Sequence, residues 1–274
     1  MKKIITLLLF STIASFANYA QEGHKHTVIT PDEIVWGMLN PARGNESPKA
    51  FDLFGDRTKD TATGMLVRFE KGFTSPPHIH NITYRGVVIE GLVHNASPGA
   101  SKMWLPKGSF WVQPAGGDHV TAANDQNNLI YLEIDHGPYL VEDSSEAFES
   151  HDHAINIDST NLVWVTSKDA KWLDIDGGKI SFLWGKTDSD NGTFLKLPPY
   201  FKGFLKDDSQ LRAVVVEGNF HYHYHIEGAE RTHIMLTPSA YFSSNGKAKH
   251  YIETFDKEVL LYVRNIGGYQ VLAE

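Results

Sequence analysis

The chain has 274 residues, 41% hydrophobic and 21% charged, a globular composition that excludes a disordered chain and a polytopic membrane protein. It contains no cysteine, so disulfides, zinc–cysteine clusters, iron–sulfur centres and a thiol nucleophile are excluded, and any metal must be held by histidine, carboxylate or other oxygen ligands. A net charge of −8 without a basic block argues against nucleic acid or an anionic membrane surface as a partner.

The first segment reads as a leader. Lys2 and Lys3 precede the apolar run Ile4–Phe10, and smaller residues follow to Ala17-Asn18-Tyr19-Ala20. A positive start, a short apolar stretch and a small-residue end are the parts of a cleaved signal peptide at 1–20, too short to span a bilayer. Cleavage after Ala20 is preferred and cleavage after Ala17 is the alternative. The expected location is periplasmic or secreted, with a mature chain starting at Gln21. His24 and His26 then fall in a disordered N-terminal tail.

Beyond the leader, short apolar or alternating segments are broken by Gly, Pro, Asn and Asp. Met65–Phe69, Arg85–Ile89, Phe110–Gln113 and Leu129–Ile134 read as strands. Helical periodicity is missing apart from a turn near Ser144–Phe148. The pattern then repeats. Tyr84–Gly91 returns as Leu211–Gly218, Ile34-Val35-Trp36 as Leu162-Val163-Trp164, and Phe54-Gly55-Asp56 as Trp184-Gly185-Lys186. Two copies of one all-β unit of about 110 residues are the simplest account. The expected division is a first domain at 21–142, an acidic, Ser-rich linker at 143–159 and a second domain at 160–274.

Of the fourteen histidines, two stand at i and i+2 in Pro76-Pro77-His78-Ile79-His80. On a strand such residues share a face, about 6.6–7 Å apart, and both rings can turn to one ion. Thirty-nine residues on, Gly108–His119 supplies a third. These segments resemble the two motifs of the cupin superfamily. Gly72, His78, His80 and Gly91 match the first motif, G-x5-H-x-H-x3,4-E-x6-G. Gly108, Pro114, Gly116 and His119 match the second, G-x5-P-x-G-x2-H-x3-N, with Ala123 where asparagine is expected. The chain is most similar to exported bicupins of undetermined function.

The resemblance implies two tandem cupin (jelly-roll) β-barrels, with one divalent metal ion held in the first by His78, His80 and His119. Tyr84 stands where the motif places a glutamate ligand, which leaves a three-histidine site. Such sites occur in thiol dioxygenases and in a β-diketone-cleaving dioxygenase. Imidazole ligation does not choose among Fe, Zn, Mn and Ni. Tyr84 is the candidate catalytic residue, as a pocket hydrogen bonder or proton donor, or else fills the space of the missing glutamate. Gln113 is a candidate pocket residue. Arg85, repeated as Arg212, points away from Tyr84's face and reads as a structural ion pair.

In the second copy, Leu205, Asp207 and Leu211 stand for His78, His80 and Tyr84, and only His250 persists. This barrel is expected to hold no metal and to buttress the first or form the interface of a homodimer. In Phe220-His221-Tyr222-His223-Tyr224-His225, the register sets the aromatic residues inward and the three histidines outward. Three functional classes follow: a metal-dependent small-molecule enzyme of dioxygenase or lyase/isomerase type, a ligand-binding or sensor module, and a metal-free structural protein.

Overall fold

Two seven-stranded antiparallel sheets lie back to back, and each is the outer wall of one barrel. A computed structural model describes residues 26–225 and 233–274 of the chain; the leader and His24 lie outside the described residues. Among these residues there is no α-helix, only strands and four short 3-10 turns. The four strands read from the sequence lie within or coincide with Thr63–Phe69, Tyr84–Glu90, Phe110–Gln113 and Asn128–Ile134. The expected turn near Ser144 is a 3-10 turn at Ser144–Glu146.

The two large sheets have the same order, strand for strand. In one, Ile155–Ile157, Phe110–Gln113, Tyr84–Glu90, Asn128–Ile134, Thr63–Phe69, Lys49–Phe54 and Gly37–Met38 are neighbours. In the other, His26–Ile29, Tyr241–Asn245, Gln210–Glu217, Val259–Ile266, Asp190–Leu197, Lys179–Gly185 and Val165–Thr166 follow in the corresponding places. The outermost strands are exchanged. His26–Ile29 pairs with Tyr241–Asn245 of the second copy, and Ile155–Ile157 pairs with Phe110–Gln113 of the first. Residues 143–159, expected as a linker, therefore lie on the first barrel, and His26, expected in a disordered tail, is the first residue of a paired strand.

Alternation sorts each central strand between two cores. Tyr84 and Val88 point into the first barrel with Met65, Val67, Trp111, Ile130 and Leu132. Val87 and Ile89 point the other way, into an apolar layer shared with Phe194, Val214, Val216, Tyr241 and Leu260 of the second copy. A strand buried on both faces loses its polar alternation, which is why Val87-Val88-Ile89 and Val214-Val215-Val216 are continuous apolar runs. Each such side chain contributes about 1.5–3 kcal/mol on burial. Gly86 makes the inner packing feasible: a Cβ there would come within 2.1 Å of the Trp111 ring.

The interface also carries reciprocal cation–ring contacts. The Arg85 guanidinium lies 3.8 Å from the Trp184 ring centroid, and that of Arg212 lies 4.0 Å from the Phe54 ring centroid. Each arginine thus covers the other copy's version of the same aromatic residue. Arg85 also pairs with Asp135 through two bonds of 2.9 and 3.0 Å, the structural ion pair expected of it.

The inner sheets differ, and the difference sits at the histidines. In the second barrel, Lys202–Asp207 runs an unbroken six-pair ladder with Ala248–Thr254, in which Leu205 faces His250. In the first barrel the corresponding region is two fragments joined by isolated bridges at Thr74–Ala122 and His78–His119. Pro76 and Pro77 have no N–H to give to a ladder, so the strand His78–His80 is short and the wall opens there.

Candidate metal centre

The strand His78–His80 projects both histidines inward, and the His78–His119 bridge brings the third opposite them. One ligand atom from each of the three lies within 4.8 Å of the others. The ring centroids are 4.3 Å apart for His78–His119, 5.0 Å for His78–His80 and 5.3 Å for His80–His119. His80 and His119 are buried, whereas His78 is half-buried and faces the opening.

Backbone carbonyls settle the tautomers. The Nδ1 of His78 lies 3.0 Å from the Pro76 carbonyl, that of His80 2.6 Å from Leu140, and that of His119 2.9 Å from Gly117. A carbonyl only accepts, so each Nδ1 carries the proton and each Nε2 keeps a bare lone pair. Burial is the main force lowering all three pKa values: His78 moderately, His80 strongly, and His119 to about 3, with neighbouring histidines adding to the shift at His80 and His119. Three neutral, outward-anchored imidazoles are the donor set a divalent ion requires.

These shifts set the pH response. The sequence alone leads one to expect metal loss as the pH falls through about 6, where free imidazole protonates. Burial holds the folded-state pKa values below that, so protons compete later and metal content is expected to hold at pH 5. Dialysis at stepped pH with elemental analysis checks this, and release centred at or above pH 6 would contradict it. In the metal-free protein the unfolded state takes up these protons first, so stability falls as the pH drops below about 6.5.

Two phenols approach the bare nitrogens. The Tyr84 hydroxyl is 3.3 Å from His119 Nε2 and 2.9 Å from Asn95 Oδ1. It has one proton and two acceptors, so His119 Nε2 can be given to a metal while the phenol keeps its bond to Asn95. Asn95 is held in turn by Thr121 Oγ1 at 2.7 Å and by Gln113 Oε1, which accepts from its Nδ2 at 2.8 Å. Gln113 is buried behind Tyr84 and bonded to the Gly117 carbonyl, so it braces the tyrosine instead of lining the opening. The second phenol is Tyr139, which no motif marks. Its hydroxyl is 3.1 Å from His80 Nε2 and its ring stacks on His80 at 4.3 Å. Burial raises the pKa of both phenols, so both remain protonated at neutral pH.

A cavity of about 350 Å³ opens onto the site. Its walls are mostly apolar, among them Leu39, Val67, Phe69, Phe73, Ile130 and Leu132, with His78, His80, Tyr84 and Tyr139 at the inner end.

The second barrel has turned the same position into a core. Leu205 is buried, and His250 is hydrogen-bonded to Tyr222 at Nδ1, 2.7 Å, and to Ser244 at Nε2, 2.8 Å. Asp207, in the place of His80, is 3.0 Å from the Ser244 hydroxyl and 3.5 Å from His250. Leu211 packs in the barrel core in place of Tyr84. His26 reaches in from the exchanged strand, stacked on Tyr224 at 3.7 Å and 2.7 Å from the Tyr222 hydroxyl. Phe220 and Tyr222 are fully buried, and Tyr224 packs partly buried against this core. His221 is exposed beside Phe255, and His223 stacks on Tyr251 at 4.6 Å. His250→Ala is expected to leave metal content unchanged while lowering stability by about 1–3 kcal/mol, because Ser244 and Tyr222 lose a buried partner. Elemental analysis and denaturant unfolding check both halves; loss of a metal equivalent would place a second ion here.

Solved structures identify this architecture. The chain superposes on a Nostoc punctiforme protein provisionally described as a dioxygenase, with a TM-score of 0.65, 15% identity and coverage of 91% of this chain and 87% of that one. It superposes on Lactobacillus farciminis oxalate decarboxylase with a TM-score of 0.60, 12% identity and coverage of 90% and 88%. For the E. coli protein YlbA the values are 0.61, 15%, and 92% and 95%. The chain therefore has the fold of two tandem cupin-type jelly-roll barrels. By sequence it belongs to the DUF4437 family, a domain of unknown function whose model matches residues 27–272. No curated protein matches the chain.

Proposed function

We propose that this is an exported, metal-dependent enzyme acting on a small molecule in the first barrel, with chemistry of dioxygenase or lyase/isomerase type. The observation that carries the reading is the set of three carbonyl-anchored histidines whose bare Nε2 atoms converge at the inner end of an apolar cavity. A divalent ion held there would act as a Lewis acid toward an oxygen of the substrate. The chain's own residues do the rest. The cavity walls exclude water from the reacting end, and Asn95 with Gln113 holds Tyr84 in place. Tyr139 is the better proton donor of the two phenols. Tyr84 has Asn95 as a standing acceptor, whereas among the described residues the one partner of the Tyr139 hydroxyl is the nitrogen a metal would take. Once that nitrogen is engaged, the Tyr139 proton faces the substrate.

A second reading, a binding or sensor cupin without catalysis, is favoured by the Tyr139 hydroxyl, which satisfies His80 Nε2 without any ion. The test is elemental analysis of untagged protein, followed by a screen of diketones, thiols, phenols and hydroxy acids under air with Fe(II), Mn(II), Zn(II) and Ni(II). Turnover by one metal form supports the enzyme. Thermal stabilisation by a compound that no form converts supports the binding module.

A further inference from the structure

One cation lines the cavity. Arg43 belongs to the 3-10 segment Pro41–Glu46, which Asn40 starts by accepting a bond from the Ala42 N–H at 3.1 Å. A second bond, from the Asn40 N–H to Ser47 Oγ at 2.9 Å, closes the segment into a loop over the opening. Arg43 lines the cavity from this loop, with its guanidinium 5.6 Å from the Phe73 ring centroid. It shares the cavity with His78, His80 and Tyr84. Among the described residues no carboxylate pairs with it and no side chain hydrogen-bonds to it, whereas Arg57 and Arg85 of the first barrel each pair with a carboxylate. Two carboxylates share the rim. Asp143 is exposed and its Oδ1 caps the next turn by accepting from the N–H and hydroxyl of Ser145, while Glu142 is half-buried on the far strand.

We infer that the cavity is built for a small apolar carboxylic acid whose carboxylate pairs with Arg43 and whose ring or branched chain fills the apolar walls. The inference rests on the metal-site reading above and specifies what that site accepts. A guanidinium offers two parallel N–H donors that match a carboxylate, and a pair shielded by apolar walls is stronger than one in open water. Among the described lining residues Arg43 is the one cationic side chain, so apart from the ion itself it is the place on the walls where a carboxylate finds a charge partner. An amide of the same shape keeps the apolar contacts and forfeits the charge pair.

Calorimetric titration of zinc-loaded full-length protein tests this, with benzoate, phenylacetate and 3-methylbutanoate each run beside its amide. In wild type at least one acid is expected to bind measurably tighter than its amide. Arg43→Gln is expected to weaken that acid by about tenfold to a hundredfold and leave the amide unchanged. Arg43→Lys, which keeps the charge but not the fork, should recover part of the loss. Equal affinity of the acid for wild type and Arg43→Gln overturns the inference, and so does absence of saturable binding by every acid. Zinc content, measured in every sample, separates the two failures. Protein that does not load zinc defeats the metal reading, whereas loaded protein indifferent to Arg43 defeats this inference alone.

Discussion

Wild type is expected to bind about one metal ion per chain, and His80→Ala is expected to abolish that binding. His80 is fully buried, and its Nδ1 is held by the Leu140 carbonyl at 2.6 Å, so its Nε2 is the most firmly aimed of the three donors. Loss of an outer partner of a ligand already costs about 10–100-fold in metal affinity. Loss of the donor itself costs more, and two imidazoles at an open position do not retain the ion through dialysis. The substitution also removes the ring on which Tyr139 stacks and the acceptor of its hydroxyl, so stability falls by about 2–4 kcal/mol, within the range for deleting a large buried side chain. Elemental analysis must therefore be paired with circular dichroism, so that an unfolded variant is not taken for an empty one. Equal metal content in a folded His80→Ala protein and in wild type would rule this site out.

The second large effect separates the two phenols. Tyr139→Phe is expected to lower turnover of a screened substrate by about 10²–10⁴, the range for removal of a general acid, with metal content intact. Tyr84→Phe is expected to cost less than about tenfold. Its hydroxyl serves Asn95, and Asn95 Oδ1 keeps Thr121 as a donor after the change, so no buried acceptor is orphaned. Both substitutions keep the rings and hence the packing against His80 and His119. A larger loss at Tyr84→Phe than at Tyr139→Phe would return the proton to the tyrosine that occupies the motif's glutamate position. Loss of metal in either variant would show that the phenol holds the ligand and not the substrate.

The barrels and the three-histidine cluster were legible because both leave local signals. Alternation and turn residues mark strands, and His78, His80 and His119 keep fixed spacing from glycines and a proline that the local backbone needs. The His250 position was legible through the repeat, and the ladder pairing Leu205 with His250 repeats the His78–His119 bridge. What was not legible arrives over long distances. Tyr139 reaches the site from a loop after Asn128–Ile134 and Arg43 from a loop before the first long strand, and His26 reaches Tyr222 in the second barrel from far earlier in the chain. None has a periodic neighbour to announce it. The stretch 143–159 has a linker's composition, and the apolar pair Ile155 and Ile157 is too brief a pattern to reveal the strand that pairs with Phe110–Gln113. Gln113 was placed on the right strand, and only its neighbours Asn95 and Gly117 show that it faces the back of Tyr84.

The exchanged strands impose an order on how the chain is completed during synthesis. Ile155–Ile157 finds its partner, Phe110–Gln113, already made, so the first sheet can close as soon as residue 157 emerges. His26–Ile29 is made before the first barrel, yet its partner Tyr241–Asn245 follows only after that barrel and most of the second. Until then the edge of that strand stays unpaired, a template for association with other chains. The second barrel thus matures only when His26–Ile29 meets Tyr241–Asn245, and a deletion of a few residues at 26–29 would be felt not in the histidine site nearest in sequence but around His250 and Tyr222, in the barrel made later.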